Sequence, residues 1–200
     1  MYKHFFKRLF EFFISLIGII VFLIPMMVIA ICIKRDSKGP IIFKQERLGK
    51  NKKKFKIWKF RTMCNHAYEM GGIANKSNDP RITKVGSFLR RTSLDEIPQL
   101  FNIFVGQMSI IGPRPILDWE YAEFANEEYE PRFSVRPGMF CTVDIKYRAS
   151  STRDQQFTMD VDYVNNIKFI SDIKYCFQIV GTVLSGKDVY REEVGDKKDE

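Results

Sequence analysis

Asp95 and Glu96 sit side by side in Ser93-Leu94-Asp95-Glu96-Ile97-Pro98-Gln99-Leu100, at the head of an apolar segment. A little further on, Arg114 is held between Pro113 and Pro115 in Gly112-Pro113-Arg114-Pro115. A carboxylate able to act as a nucleophile, a second acid beside it and cations close by are the equipment for attacking a phosphate ester and holding its charge. The same residues admit a plainer reading. Asp and Glu are favoured in a first helical turn by the free N–H groups there, and Ser93-x-x-Glu96 has the spacing of a capping box. Pro98 brings the two readings together: at the third position of a helix it costs no hydrogen bond, so the spacing predicts Asp95 as the cap and Glu96 as the first helical residue. Flanking prolines stiffen Arg114 and reduce the entropy it loses on gripping an oxyanion. Viewed alone, that motif is also compatible with a rigid turn carrying a solvated arginine.

Further cations lie within reach in sequence. Alternation in Phe55-Lys56-Ile57-Trp58-Lys59-Phe60-Arg61 predicts a strand with Lys59 and Arg61 on one face. Arg90 and Arg91 precede the acidic pair. The 200-residue chain holds 32 Lys and Arg against 24 Asp and Glu, a net charge of +8 that calls for an anionic partner. Nucleic acid is the weakest choice, because neither a helix-turn-helix pattern, an aromatic RNA-binding motif nor zinc spacing is present. Cys32, Cys64, Cys141 and Cys176 are scattered, which argues against a disulfide framework or a zinc site.

The positioning elements begin with the membrane. Phe12 to Ile33 carries no charge, and about 20 such residues suffice to span a bilayer. Yet Lys3, Lys7 and Arg8 precede the run while Lys34, Arg35 and Lys38 follow it, and positive charge marks one side of a membrane. Pro25 lies near its middle. A helix that breaks at Ile24-Pro25 and returns to the same face accounts for both facts; a straight span is the alternative. Residues 1–38 are thus read as a re-entrant anchor, 39–185 as a membrane-associated catalytic domain and 186–200 as a charged tail. Ile41 to Leu48 and Phe55 to Met63 read as a hairpin turning at Gly49-Lys50-Asn51. Helices are expected over Val85–Arg91, from Asp95, and over Ile116–Asn126, Asp154–Asn165 and Ser171–Leu184, with a polar loop from Gly71 to Pro80. Ile173, Phe177, Val180 and Leu184 form an apolar stripe on the last helix. The fold class is α/β, predominantly helical: a helix-break-helix anchor plus a small domain with one β-hairpin and amphipathic interfacial helices.

Lys59-Phe60-Arg61-Thr62-Met63, Ser93 to Asn102, Met108-Ser109-Ile110-Ile111-Gly112-Pro113-Arg114-Pro115 and Val135-Arg136-Pro137-Gly138 together resemble the small monotopic phosphoglycosyl transferases of the bacterial sugar transferase family. The likeness runs from about residue 3 to 185 with its motifs in order. It implies transfer of a sugar-1-phosphate from a UDP-sugar to polyprenol (undecaprenyl) phosphate with release of UMP, at the cytoplasmic face of the bacterial inner membrane. It implies Asp95 as nucleophile and Glu96 as its partner, both close to Mg²⁺. Lys59, Arg61, Arg90, Arg114, Arg136 and Arg148 become the phosphate- and substrate-binding cations. Membrane lipid is the further partner, and a homodimer is left open. One stretch departs from the pattern. The family commonly continues Thr-Gly-Trp-Ala-Gln-Val-x-Gly-Arg, whereas residues 140–148 read Phe-Cys-Thr-Val-Asp-Ile-Lys-Tyr-Arg, which implies altered sugar recognition. Asp160-x-x-Tyr163-x-x-Asn166 matches again. The competing reading is a non-catalytic tether that binds anionic lipid or a partner transferase.

Overall fold

The computed structural model describes residues 2–67, 69–70, 79–124, 126–147 and 151–185. Most of the expected polar loop, Arg148 and the charged tail lie outside these residues. After one π-helical turn, Tyr2–Phe6, the chain forms α1, Lys7–Asp36. α1 runs on through Ile24 and Pro25, although Pro25 has no N–H to donate, so in place of the expected helix-break-helix there is a proline within one continuous helix. A proline bends a helix without having to end it. At 30 residues, α1 is about 45 Å long.

Most of that length is bare. Large apolar side chains such as Phe13, Ile17, Ile20, Ile24 and Ile31 are exposed. One stripe is not. Lys7, Glu11, Ser15, Met26 and Ile33 are buried, and Gly18 belongs to the same stripe, since a Cβ there would lie 3.2 Å from Leu100. These positions recur every three, four, seven or eight residues, as one helical face must. The stripe reaches both ends of α1, so both ends are fixed to the globular part.

The lower end is fixed by charge. Lys7 Nζ lies 2.6 Å from Asp172 and 3.2 Å from Glu11, all three buried. Glu11 also accepts hydrogen bonds from the Ser109 hydroxyl and from the Ile110 N–H at 3.0 Å. The upper end is fixed by Arg61. Its guanidinium donates to the carbonyls of Lys38 and of Ser37, the latter at 2.7 Å. A cation at a helix C-terminus satisfies carbonyls that have no intrahelical partner.

The globular part contains two small sheets. Strands β1, Ile42–Leu48, and β2, Lys54–Phe60, form an antiparallel hairpin pairing Phe43 with Lys59. Asn51 and Lys52 take left-handed conformations in its turn (φ 55° and 58°). Next come α2, Lys84–Thr92, a 3₁₀ turn, Leu94–Glu96, and α3, Gln99–Phe104. Strands β3, Ser109–Ile111, and β4, Gly138–Phe140, pair in parallel. Between them lies α4, Asp118–Glu123. Three helices follow: α5, Thr142–Lys146, α6, Arg153–Asn165, and α7, Phe169–Ser185. The stretch expected as helical from Ile116 to Asn126 shortens to α4 because Leu117, extended, caps it and Phe124 ends it. On α7, Ile173 and Phe177 point outward while Ile179 and Asp172 are buried. These two residues of its apolar stripe face away from the core, and Phe169, also exposed, meets Phe10 of α1 at 5.5 Å.

The Gly-Pro-Arg-Pro and Arg-Pro-Gly motifs lie back to back. Gly138 N–H donates to the Pro113 carbonyl at 2.8 Å and Gly112 N–H to the Phe140 carbonyl at 3.1 Å. A Cβ on Gly138 would fall 2.2 Å from the Gly112 nitrogen, so only glycine permits the approach. Backbone cannot yield as a flexible side chain does. Gly138→Ala is expected to cost about 2–3 kcal/mol, read as a fall in thermal midpoint of the detergent-solubilised protein.

Candidate active site

Cluster packing sets the acidic pair beside α1. Ile97 packs with Met26, Ile33, Phe60 and Leu89, and Leu94, Leu100 and Phe101 border the same cluster. Asn102 then ties α3 to β2: it accepts from Trp58 N–H at 3.0 Å and donates to the Lys56 carbonyl at 2.8 Å. Lys59, one residue beyond Trp58, thereby meets Glu96. Its Nζ lies 2.6 Å from Glu96 Oε1.

The local backbone corrects one expectation. Asp95 does not cap a helix. Ser93, left-handed at φ 56°, ends α2 and opens the 3₁₀ turn that holds both acids, and Pro98 rather than Asp95 is the N-cap of α3. No side-chain cap bond forms at Ser93. Pro98 sits at the boundary of two short helices, where it again costs no hydrogen bond. The tighter 3₁₀ geometry leaves both acids partly exposed, above a buried Ile97.

The two acids titrate differently. Desolvation raises Asp95 to about 6, with the neighbouring Glu96 charge adding to the rise and Lys59 and Arg90 opposing it. Burial also pushes Glu96 upward, but Lys59, through charge and a hydrogen bond, wins and holds it below the usual carboxylate range; Arg114 and a hydrogen bond from Gln99 help. Adjacent carboxylates pushed apart in this way are a recurring arrangement at sites of acid–base and covalent chemistry. Asp95 makes no ion pair of its own among the described residues, whereas Glu96 is locked.

Arg114 faces this pair from the other motif. Its guanidinium donates to Asp144 at 3.0 Å, and it is held strongly protonated, first by Asp144 and also by Glu96. Its backbone N–H is shared between both oxygens of Asp160 at 3.3 Å. Asp160 in turn is bound by Arg132, whose Nη2 lies 2.6 Å away and also donates to the Arg114 carbonyl at 2.8 Å. This buried pair clamps Arg114 from both sides of its peptide unit.

Four expected groups thus converge with Asp95: Glu96, Lys59, Arg114 and Arg90, whose Nε donates to Thr62 Oγ1 at 2.8 Å and whose charge reaches Asp95. Two do not. Arg61 is buried and spends its guanidinium on the carbonyl end of α1, because β2 ends at Phe60 and the chain turns inward. Arg136 donates through Nε to the Gly106 carbonyl at 2.7 Å, near Arg8 rather than near the acids. Arg148 lies outside the described residues. The clamp by Arg132, the bond from Gln99 and the partnership of Asp144 with Arg114 were not read from spacing. Asp160 gave the one signal, in the Asp160-x-x-Tyr163 pattern.

A model of the bacterial sugar transferase family matches residues 2–186. The chain belongs to the bacterial sugar transferase family. This sugar transferase is 38% identical over 191 residues to the exopolysaccharide production protein PSS of Rhizobium leguminosarum bv. phaseoli, covering 90% of this chain and 94% of that one. It is 36% identical over 197 residues to the UDP-glucose:undecaprenyl-phosphate glucose-1-phosphate transferase of Klebsiella pneumoniae, and 34% over 187 to the UDP-N-acetylgalactosamine-undecaprenyl-phosphate N-acetylgalactosaminephosphotransferase of Aeromonas hydrophila. Those matches cover 92% and 91% of this chain but only 41% and 44% of those relatives, so it spans less than half the length of each. Membership makes the transferase an enzyme and sets aside the passive tether.

The burial of Asp95 has a measurable cost. With a folded-state value near 6, its charge opposes folding fully above that pH, and the penalty disappears as the carboxylate protonates towards its unfolded value of about 4. Asp95→Asn is expected to stabilise this transferase by roughly 1–2 kcal/mol at pH 8. The gain should shrink on acidification to pH 5, read from denaturation midpoints across that range.

Proposed function

We propose that this enzyme moves a sugar-1-phosphate from a UDP-sugar to polyprenol phosphate through an aspartyl intermediate on Asp95. The observation that carries the reading is the division of roles between adjacent acids: Glu96 is held ionised by Lys59 with help from Arg114, while Asp95, without an ion pair among the described residues, is desolvated beside Lys59 and Arg90. A partly desolvated carboxylate is a stronger nucleophile than one tied up by a cation. In the first step an Asp95 oxygen attacks the β-phosphorus. The bond from that phosphorus to the bridging oxygen breaks, and UMP departs with the electron pair. In the second, a phosphate oxygen of the polyprenol acceptor attacks the same phosphorus and Asp95 leaves as carboxylate. Arg114, Lys59 and Arg90 neutralise the phosphoryl oxygens in both steps. Binding of the donor must draw Arg114 from Asp144, the acid that stands where the family commonly has Gln. The names of two relatives carry different sugars, glucose and N-acetylgalactosamine, so family membership by itself does not name the sugar.

Mg²⁺ fits this donor set. Among the described residues no three metal-ligating side chains cluster, but Mg²⁺ is commonly held by one or two carboxylates plus substrate phosphates and water. Asp95 and the free oxygen of Glu96 would hold it, and it would lower the charge on the departing UMP phosphate.

The reading also includes monotopic attachment, re-entrant at Ile24-Pro25, at the cytoplasmic face of the inner membrane. Its support is the stripe on α1: a helix whose two ends are both docked to one globular domain cannot leave that domain on one side and emerge on the other. Lys and Arg at both ends agree, and the outward apolar side chains of α7 supply an interfacial helix beside it.

Incubation with UDP-sugars in the absence of acceptor is expected to add one sugar-phosphate mass to the intact protein, releasing one UMP, with no adduct in Asp95→Asn. The rate of adduct formation should climb as pH rises through about 6, where Asp95 ionises. Full turnover by Asp95→Asn would sink the assignment. Separately, a cysteine added at the N-terminus should resist membrane-impermeant labelling in intact cells.

A further inference from the structure

The second concentration of positive charge is nowhere near Asp95. A cavity of about 80 Å³ opens between the start of α1 and the loop before β4, lined by Lys3, Lys7, Arg8, Lys50 and Arg136, with Glu11 as its one acid. Neither Asp95, Glu96, Lys59 nor Arg114 lines it. What holds these cations is mostly neutral. Arg8 donates to the carbonyls of Ile103 and Phe104 at 2.6 and 2.7 Å, Arg136 to that of Gly106 at 2.7 Å, and Lys3 to that of Val164 at 3.1 Å. Among the described residues, Lys7 alone of these cations is matched by carboxylates, Glu11 and Asp172. Two guanidiniums are therefore close enough to repel, and burial together with Arg136 lowers the Arg8 pKa. Gly106 makes the approach feasible: at φ +86°, a Cβ there would lie 3.1 Å from Arg8 Nη2.

An uncompensated cluster of like charge in a part-buried cavity costs folding energy that a bound anion offsets. Size narrows the anion. At roughly 10–15 Å³ for each water, the space holds about five to eight waters. A tetrahedral oxyanion fits and a nucleotide sugar does not. Position narrows it again. Phe5, Phe6 and Leu9, all exposed, are chain neighbours of the lining residues Lys7 and Arg8, at the end of α1 where the apolar run begins, and exposed Val105 precedes Gly106. Cations with exposed apolar neighbours suit a phosphate carried on a hydrocarbon chain.

We propose that this cavity is a second anion site, which takes the phosphate of a membrane amphiphile at the entry of α1. It rests on the membrane reading of α1 but not on the chemistry at Asp95. The positive charge it gathers comes from three separate parts of the chain: the first turns of the protein, the hairpin turn at Lys50 and the Arg-Pro-Gly motif. A lipid phosphate there would tie the hairpin and β4 to the membrane helix at the height of the headgroups. Phosphatidylglycerol and polyprenol phosphate carry the same ligand chemistry, one as a diester and one as a monoester.

The full-length protein, exchanged into nanodiscs of phosphatidylcholine, would be titrated with phosphatidylglycerol, undecaprenyl phosphate or inorganic phosphate, and bound lipid counted by native mass spectrometry. Wild type is expected to retain one of the two lipids, and the K3A/K50A variant to bind it roughly tenfold or more weakly. Which lipid is retained identifies the source. Both substitutions lie at part-exposed or exposed positions, and an unchanged circular dichroism spectrum shows that they fold. Lys44→Ala, which removes an exposed cation that does not line the cavity, should leave lipid retention unchanged. Equal retention by wild type and K3A/K50A, a loss with Lys44→Ala alone, or a response to inorganic phosphate without either lipid would overturn the proposal. Failure of the Asp95 reading would show instead as wild-type protein that releases no UMP.

Discussion

Everything in this molecule hangs from one stripe of a thirty-residue helix. Packing of Met26 and Ile33 against Ile97, Leu89 and Phe60 determines how far the acidic turn stands from the hydrocarbon. Without that contact Asp95 and Glu96 would lose their fixed place beside the helix, and only the charged end of the stripe would hold the two parts together. The stripe is short of apolar residues at its lower end, where Lys7, Glu11 and Ser15 are buried instead. Buried charge of this kind adds little net stability, but removal of any one member leaves its partners unpaired. Its effect is to set register: a slip of one turn along α1 would strand Glu11 away from Ser109 and Ile110.

The second constraint is economy of cations. Eight more basic than acidic residues suggest a broad positive surface, yet the structure divides them into separate tasks. Lys59 fixes Glu96. Arg114 is clamped by Asp160 and Arg132. Arg61 ends α1, and Arg8 and Arg136 belong to a different cavity. Net charge is a poor guide to a site; the partner of each cation is the informative quantity.

Legibility from sequence followed the range of the interaction. The hairpin, α2, α6 and α7 were readable because alternation and helical spacing are local, and the acidic pair because its motif is contiguous. The cap assigned to Asp95 failed because two short helices meet there, and a proline at their junction satisfies either one. Arg61 was misjudged for a related reason: alternation continues in sequence after the strand has stopped in space. Arg136 stands in a motif adjacent to the site through backbone while its side chain leaves on the far side of the Gly112–Gly138 contact. The α7 stripe was visible, but nothing in its spacing distinguishes a face turned to the core from one turned to lipid. Asp144 stood out only as a departure from the family pattern, and its bond to Arg114 needs the fold.

The ion pair between Lys7 and Asp172 joins residues 165 positions apart, and Tyr2 reaches Asp172 as well, across 170. Translation makes Lys7 165 residues ahead of its buried counter-charge. At roughly 5–20 residues per second, the head of α1 waits on the order of 10–30 s at the ribosome exit before Asp172 is synthesised. For that interval Lys7 has Glu11 but not Asp172, while Glu11 already has Ser109 and Ile110 within reach of synthesis. The buried charge at the head of α1 therefore stays incomplete until α7 is made, and α7 is the helix that locks it.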